Sequence, residues 1–146
     1  MSHPRLAPAE AAVLVNERGY AYLDVRSEQE FAIEHAAGAY NVPLEHAAPG
    51  GRAPNPDFLA VVSAAFARDR GLVIGCQSGA RSRRAAELLV QAGFSCVVEQ
   101  RAGHGGTHDA FGRPAEAGWK GAGLPCASTP EPGHDYPSLR AAVGPA

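Results

Sequence analysis

The stretch Leu72-Val73-Ile74-Gly75-Cys76-Gln77-Ser78-Gly79-Ala80-Arg81-Ser82 passes from an apolar run, through a glycine-containing loop, into a helix-forming segment. A continuous apolar run of this length is typical of a strand buried on both faces of a parallel sheet. Residues 82–92 carry apolar side chains at helical spacing, and Gly93 then supplies a helix stop. The stretch therefore predicts a strand, a tight loop and a helix, with Cys76 where the strand ends.

Similar patterns flank this unit on both sides. Short apolar runs predict further strands at 21–25, 40–42 and 95–99. Further helices are predicted at 8–18, 27–35 and 55–66, and a loop at 49–54. Ser27 and Glu30 have the spacing of a capping box at the start of one of these helices. The alternation favours an α/β fold, in which helices cover both faces of a mainly parallel central sheet.

Length, charge and cysteine content narrow the class of protein. The chain has 146 residues and a formal net charge of −2, which fits one domain without a broad basic surface for nucleic acid. We see neither a secretory signal nor the roughly 18–20 apolar residues of a membrane span. The three cysteines, Cys76, Cys96 and Cys126, form no CxxC pair. We therefore expect a cytoplasmic protein with free thiols and no membrane attachment.

The C-terminal third has a different composition. We predict a domain over 1–124 with an inserted loop at about 101–118, followed by a Pro-rich, partly disordered tail over 125–146. A short helix is expected near Trp119, which we interpret as a packing anchor. Three polar residues of the insertion fit no recognised metal-ligand spacing and predict a polar loop: His104, His108 and Asp109.

Cys76 is the candidate reactive residue. Successive amides in a tight loop, with a helix N-terminus behind them, form a cradle for an anion. A cysteine at the rim of such a cradle is expected to be accessible and to favour its thiolate form. Gly79 permits a crowded or left-handed backbone, and Arg81 adds a fixed positive charge. A structural role is the common alternative for a lone cysteine, but the agreement of strand, loop, glycine and arginine favours a reactive one.

Asp24 and Arg26 end another predicted strand. The carboxyl ends of parallel strands meet at one edge of a sheet, where ligands bind in open α/β folds. We therefore expect both side chains to lie near Cys76. Cys96 falls in a predicted strand and is expected to be an inert core residue. Cys126 falls in the predicted tail, and the sequence does not assign it a role.

Three motifs resemble the rhodanese family. The loop from Cys76 to Ser82 resembles the CxxGxRS active-site signature of that family. The segment Asp24-Val25-Arg26, followed by Glu30-Phe31, resembles its D-x-R…E-[FY] motif, and His35-Ala36-Ala37-Gly38-Ala39-Tyr40-Asn41-Val42-Pro43 resembles G-H-I-x-G-A-x-N-I-P. The resemblance runs from about residue 8 to 103. The chain departs from it at Glu34, where the family has Gly, at Ala36, where it has Ile, and in the insertion before Trp119.

The resemblance implies a three-layer α/β/α domain with thiosulfate sulfurtransferase activity and no metal or organic cofactor. Cys76 would take the outer sulfur of thiosulfate or a related donor as a persulfide and pass it to cyanide or a thiol. The residues implied to bind the persulfide and the donor are Gln77, Ser78, Gly79, Ala80, Arg81 and Ser82. Those implied to support the site structurally are Asp24, Arg26, Glu30 and His35.

Two other functions remain open at this point. The domain is alternatively a sulfur relay or binding module for a sulfur-accepting partner protein. Phosphatases and arsenate reductases on the same fold have five residues between the cysteine and the arginine, whereas four separate Cys76 from Arg81. The smaller loop favours a single sulfur atom over a phosphate group. The sequence names no physiological donor, acceptor or oligomeric state.

Overall fold

The computed structural model describes residues 3–143. Its helices are α1 (Pro8–Glu17), α2 (Glu28–Ile33), α3 (Phe58–Ala65), α4 (Ala80–Gln91) and α5 (Tyr136–Ala141). Its strands are β1 (Arg5–Leu6), β2 (Ala21–Asp24), β3 (His35–Ala36), β4 (Tyr40–Asn41), β5 (Glu45–Ala48), β6 (Gly51–Pro54), β7 (Leu72–Gly75), β8 (Val97–Gln100), β9 (Thr107–His108), β10 (Pro114–Glu116) and β11 (Cys126–Ala127). None of the helices in this range has the length and apolarity needed to cross a membrane.

Five strands form the central sheet in the order β1-β8-β7-β2-β4, and every neighbouring pair is parallel. In the register of β2 against β7, Leu23 lies opposite Ile74 and Asp24 opposite Gly75. The carboxyl ends of these strands therefore lie at one edge of the sheet, as predicted. The predicted α/β fold with a parallel central sheet is confirmed.

Helices pack against both faces of this sheet. Alternate side chains of β7 enter different cores, with Ile74 on the face covered by α3, α4 and α5 and Val73 on the face covered by α1 and α2. Period-two alternation in a strand buried on both sides produces this division. The arrangement is the predicted three-layer α/β/α sandwich.

The start of α2 follows the predicted capping box. Ser27 Oγ accepts a hydrogen bond from the amide of Glu30 at 3.2 Å, and the Glu30 carboxylate accepts one from the amide of Ser27 at 3.2 Å. This reciprocal pair satisfies two amides that have no partner inside the helix. It also holds the Glu30 carboxylate in a defined position.

The segment predicted as a loop at 49–54 belongs to a hairpin. Strands β5 and β6 pair antiparallel around Gly50 and Gly51, which have φ angles of 80° and 144°. Backbone angles of this kind favour glycine. The two glycines that predicted a loop therefore also allow a tight turn between two strands. The pairing lacks the apolar alternation by which strands are usually predicted.

The C-terminal segments are more ordered than their composition predicts. The insertion contains the antiparallel pair β9–β10, and no helix forms near Trp119. Trp119 is nevertheless the expected packing anchor, because it is buried, meets the Tyr22 ring edge-on at 5.0 Å and donates a hydrogen bond to the carbonyl of Pro125 at 2.7 Å.

The segment expected to form a tail packs onto the domain as far as Val143. Strand β11 pairs with β3, and α5 buries Tyr136 and Leu139 in the core beside α3. Proline excludes a long helix but is compatible with the first turn of a short one, as at Pro137. Residues 144–146 of the predicted tail lie outside the described range.

Candidate active site

Cys76 follows β7 directly and lies in the loop that opens α4. Its Sγ accepts a hydrogen bond from the amide of Gly79 at 3.1 Å and lies 3.4 Å from Ser82 Oγ. Gly79 is the N-cap of α4 with a φ of 107°, and a Cβ there would lie 2.8 Å from the carbonyl oxygen of Arg101. The position therefore requires glycine, as the sequence predicts, and it directs an amide and a helix N-terminus at the sulfur.

The expectation of an exposed thiol is wrong for this conformation, because Cys76 is only 2% exposed. The segment after β8 closes against the loop. The His104 amide donates to the Cys76 carbonyl at 2.7 Å, and the Gly105 amide donates to the Gln77 carbonyl at 3.0 Å. A Cβ at Gly103 would lie 2.7 Å from the Cys76 carbonyl oxygen, so this close packing depends on a glycine. Because the Cys76 residue is buried, a reagent reaches its sulfur only after a local opening of the surrounding structure.

A buried polar chain leads away from the sulfur. Ser82 Oγ lies 3.1 Å from Glu99 Oε1 and 3.1 Å from the Gly79 carbonyl, so its single proton is donated to one of the two. Glu99 is completely buried, and its carboxylate accepts hydrogen bonds from Arg5 Nε at 3.0 Å and pairs with His3 Nε2 at 2.9 Å. These cationic or protonatable partners offset the cost of burying the charge.

The Arg81 guanidinium is paired rather than free. It donates two parallel hydrogen bonds to Glu30, at 2.7 and 2.9 Å, and the Arg81 side chain is buried. These hydrogen bonds raise the pKa of Arg81. For Glu30, partial burial acts to raise the pKa, but the hydrogen bonds and charge of Arg81, together with hydrogen bonds from Ser27, lower it to about 2. Arg81 thus braces α4 against α2, and its predicted contact with an anionic donor stays a prediction.

Arg26 connects the end of β2 to the Cys76 loop. Its Nε and Nη2 donate to the Asp24 carboxylate at 2.8–3.1 Å, and its Nη1 donates to Gln77 Oε1 at 3.1 Å. Burial acts to lower the pKa of Arg26, but the hydrogen bonds and charge of Asp24 raise it. The two side chains therefore lie where the parallel sheet predicted them, and their contacts are those of a structural brace.

His35 occupies a structural position as well. Its ring is fully buried and stacks on Phe31 with ring centroids 3.8 Å apart. Nδ1 lies 2.7 Å from the carbonyl of Phe31 and donates to it, since a carbonyl can only accept. This contact fixes the turn between α2 and β3.

A cleft of about 520 Å³ borders the Cys76 loop. Its lining residues are Arg26, Glu30, Ile33, Glu34, Gln77, His104, Gly105 and Lys120. The insertion therefore borders the loop, since His104 and Gly105 belong to it. The walls of the cleft carry charge of both signs, with Arg26 and Lys120 opposed by Glu30 and Glu34.

The sequence does not single out Glu99 or Lys120, and it marks Glu34 only as a departure from the family motif. A signal for Glu99 exists, because it is a carboxylate within the otherwise apolar run Val97-Val98-Glu99. Such a residue on a buried strand needs a partner. The positions of Glu34 and Lys120 depend on contacts between distant segments, for which the local sequence has no signal.

The fold and the loop define an α/β domain that holds one cysteine beneath a helix N-terminus at the carboxyl edge of a parallel sheet. The family model of the rhodanese-like domain matches residues 7–103, and the chain belongs to this family. The resemblance seen in the three sequence motifs is thereby confirmed.

Individual relatives agree with this assignment. The chain is 46% identical over 81 residues to thiosulfate sulfurtransferase 16, chloroplastic, of Arabidopsis thaliana. This match covers 56% of this chain and 68% of that protein. It is 39% identical over 101 residues to senescence-associated protein DIN1 of Raphanus sativus, covering 69% of this chain but only 55% of that relative. The crystal structure of Rv0390 from M. tuberculosis superposes with a TM-score of 0.71 at 26% identity, covering 88% of this chain and 100% of that one.

Proposed function

We propose that the protein is a sulfurtransferase that moves sulfane sulfur from thiosulfate or a related donor to a thiophilic acceptor through a persulfide on Cys76. The observation that carries the proposal is the position of the Cys76 sulfur, 3.1 Å from the Gly79 amide at the N-terminus of α4. Membership of the rhodanese-like family and the relative named as a thiosulfate sulfurtransferase support it.

The reaction proceeds in two displacements. The Cys76 thiolate attacks the outer sulfur of thiosulfate, the sulfur–sulfur bond of thiosulfate breaks, and sulfite leaves with the electron pair. The enzyme is left with a persulfide. Cyanide or an acceptor thiolate then attacks the outer sulfur, forming thiocyanate or an acceptor persulfide, and Cys76 leaves as a thiolate. No electron is gained or lost overall, so the reaction needs no redox partner.

The surroundings of Cys76 suit a negatively charged sulfur. An amide that donates to an anion forms a stronger hydrogen bond than one that donates to a neutral atom, and the helix N-terminus adds a favourable dipole. Ser82 Oγ, at 3.4 Å, is the first polar atom on the path of the departing thiol proton, and Glu99 lies one hydrogen bond further. Ser82 and Glu99 are positioning residues in this proposal.

Access to the sulfur requires a local opening. Cys76 is covered, whereas the two residues that follow it, Gln77 and Ser78, are exposed. Gln77 also borders the cleft with Arg26 and Lys120. We propose that an anionic donor enters from this cleft and that displacement of the Gln77 side chain exposes the thiol.

The proposed partners are a small-molecule sulfur donor and a thiophilic acceptor, which is either a small thiol or a sulfur-accepting protein. The three cysteines at 76, 96 and 126 are free thiols. A reducing compartment, the cytosol, is therefore the proposed location.

The test is a transfer assay with thiosulfate, mercaptopyruvate and glutathione persulfide as donors. Cyanide serves as acceptor and thiocyanate is measured. We expect turnover with at least one donor in the wild type and none in Cys76→Ser. Cys96→Ser is the matched control, because it makes the same substitution outside the loop.

Equal turnover in wild type and Cys76→Ser would overturn the proposal. A wild type that forms the persulfide but transfers sulfur only to a protein acceptor would assign a relay. Brisk hydrolysis of an aryl phosphate would instead favour the phosphatase alternative.

A further inference from the structure

Three side chains from distant segments meet beside the cleft. Glu34 follows α2 as its C-cap, His104 lies in the segment after β8, and Cys126 begins β11. One carboxylate oxygen, one ring nitrogen and the sulfur all lie within 4.8 Å of one another. Carboxylate, imidazole and thiolate are the three kinds of protein ligand that Zn²⁺ uses.

The distances are compatible with a tetrahedral ion after small side-chain rotations. Bond lengths of about 2.0–2.3 Å from zinc to O, N and S place tetrahedral ligand atoms about 3.4–3.6 Å apart. His104 Nε2 and Glu34 Oε1 are 2.7 Å apart, at hydrogen-bond distance. These two atoms would separate by about 0.7 Å, and the sulfur of Cys126 would approach them by at most about 1.3 Å. Rotations about side-chain bonds supply movements of this size.

The backbone that carries the three residues is held in place. Cys126 is paired in register with Ala36 between β11 and β3. The Glu34 carbonyl accepts a hydrogen bond from Arg26 Nη2 at 2.7 Å, and the His104 amide donates to the Cys76 carbonyl at 2.7 Å. The ligands therefore approach one another from fixed anchor points, which reduces the entropy that metal binding would cost.

The local charge also suits a divalent cation. A Cys126 thiolate and the Glu34 carboxylate together neutralise the charge of one Zn²⁺. The competing cation is Lys120, whose Nζ lies 3.5 Å from Glu34 Oε1. Its side chain is 67% exposed, so it can turn into solvent when a metal ion takes its place.

We propose that Glu34, His104 and Cys126 form a zinc site with an open fourth coordination position next to the cleft that borders the Cys76 loop. Three protein ligands with one open position are typical of zinc sites that bind water or a small ligand. Glu34 and His104 both line that cleft. The site is independent of the sulfur-transfer proposal, because metal binding is measured without turnover.

The test begins with a titration of the full chain with Co²⁺, which replaces zinc and reports its ligands by absorption. We expect one equivalent to produce a thiolate-to-cobalt charge-transfer band that zinc then abolishes. The band should persist in Cys76→Ser and Cys96→Ser and disappear in Cys126→Ser. Absence of the band in the wild type, or its persistence in Cys126→Ser, would overturn the proposal.

Zinc affinity is then measured by competition with a chromophoric chelator. Loss of a direct ligand should cost more than the roughly 10–100-fold that loss of a supporting residue costs. We therefore expect Glu34→Gln and His104→Ala to weaken binding by more than about tenfold. His108→Ala, on the exposed β9, should leave the affinity unchanged.

Lys120→Ala distinguishes a metal site from a simple ion-pair network. It should strengthen zinc binding, because it removes the cation that competes for Glu34. Thermal unfolding in the presence of a chelator identifies any variant that fails to fold. If His104→Ala fails to fold, Glu34→Gln still tests the site. Unchanged zinc affinity in a folded Glu34→Gln would overturn the proposal.

Discussion

Replacement of Glu30 by Gln tests the brace between α2 and α4. Glutamine retains an oxygen that can accept from the amide of Ser27, so the capping box survives. The substitution removes the negative charge that pairs with Arg81, whose side chain is 8% exposed. The expected loss of stability therefore reports the charge of Glu30, chiefly its pairing with Arg81 and to a smaller extent its hydrogen bonds from Ser27.

The magnitude follows from the pKa of Glu30, which falls from 4.5 to about 2 in the folded protein. Without screening, this difference corresponds to about 3 kcal/mol of stability at neutral pH. The Glu30 side chain is 26% exposed, so solvent weakens the pair. We expect Glu30→Gln to lower the free energy of unfolding by about 1–2 kcal/mol at neutral pH.

The pH dependence has a definite sign. A carboxylate whose pKa is lowered by folding stabilises the protein above its ordinary pKa of 4.5, and this contribution is lost as the pH falls through about 2. The stability difference between wild type and Glu30→Gln should therefore shrink as the pH falls below 4.5.

Urea denaturation from about pH 7 to about pH 3 measures this difference directly. Glu28→Gln is the matched control, because it removes the same charge from the same helical turn and Glu28 has no ion-pair partner among residues 3–143. A loss below about 0.5 kcal/mol at neutral pH would refute the reasoning. So would a difference that stays constant down to low pH.

Three further substitutions test the packing and chemistry around the loop. Gly103→Ala should destabilise the fold by about 3 kcal/mol or more in urea denaturation, because its φ of 72° is combined with backbone crowding. The control Gly112→Ala, with a φ of 78° and open space around it, should cost only about 1 kcal/mol. Equal losses would contradict the crowding. Ser82→Ala should slow thiocyanate formation about tenfold, through loss of one hydrogen bond at the sulfur, and an unchanged rate would remove it from the proposed path. Gln77→Ala should speed alkylation of Cys76 by iodoacetamide, as followed by peptide mapping, and a slower reaction would contradict entry from the cleft.

The fold could be predicted largely from local patterns. The apolar run Leu72–Gly75 and the capping box at Ser27 each specify one element through interactions close in sequence. The β5–β6 hairpin escaped prediction because its strands lie at the surface and lack apolar alternation. Packing of the Pro-rich segment could not be read locally either, since it depends on contacts such as Trp119 with Pro125 and α5 with α3.

Part of the candidate site could likewise be predicted from the sequence, and part depends on contacts between distant segments. Asp24 and Cys76 could be placed at one edge because parallel strands align their carboxyl ends. The burial of Cys76 could not be predicted, because it depends on how distant segments pack together in the core that contains this residue. In the sequence His104 lies near His108 and Asp109, whereas the fold brings it to Glu34, 70 residues away.

The intact mass of the protein after treatment with thiosulfate tests the central claim most directly. We predict that the wild type gains the mass of one sulfur atom, that cyanide removes it, and that peptide mapping places it on Cys76. Cys96→Ser and Cys126→Ser should gain the same mass, and Cys76→Ser should gain none. A wild type that gains no sulfur, or a Cys76→Ser variant that gains one, would contradict the account.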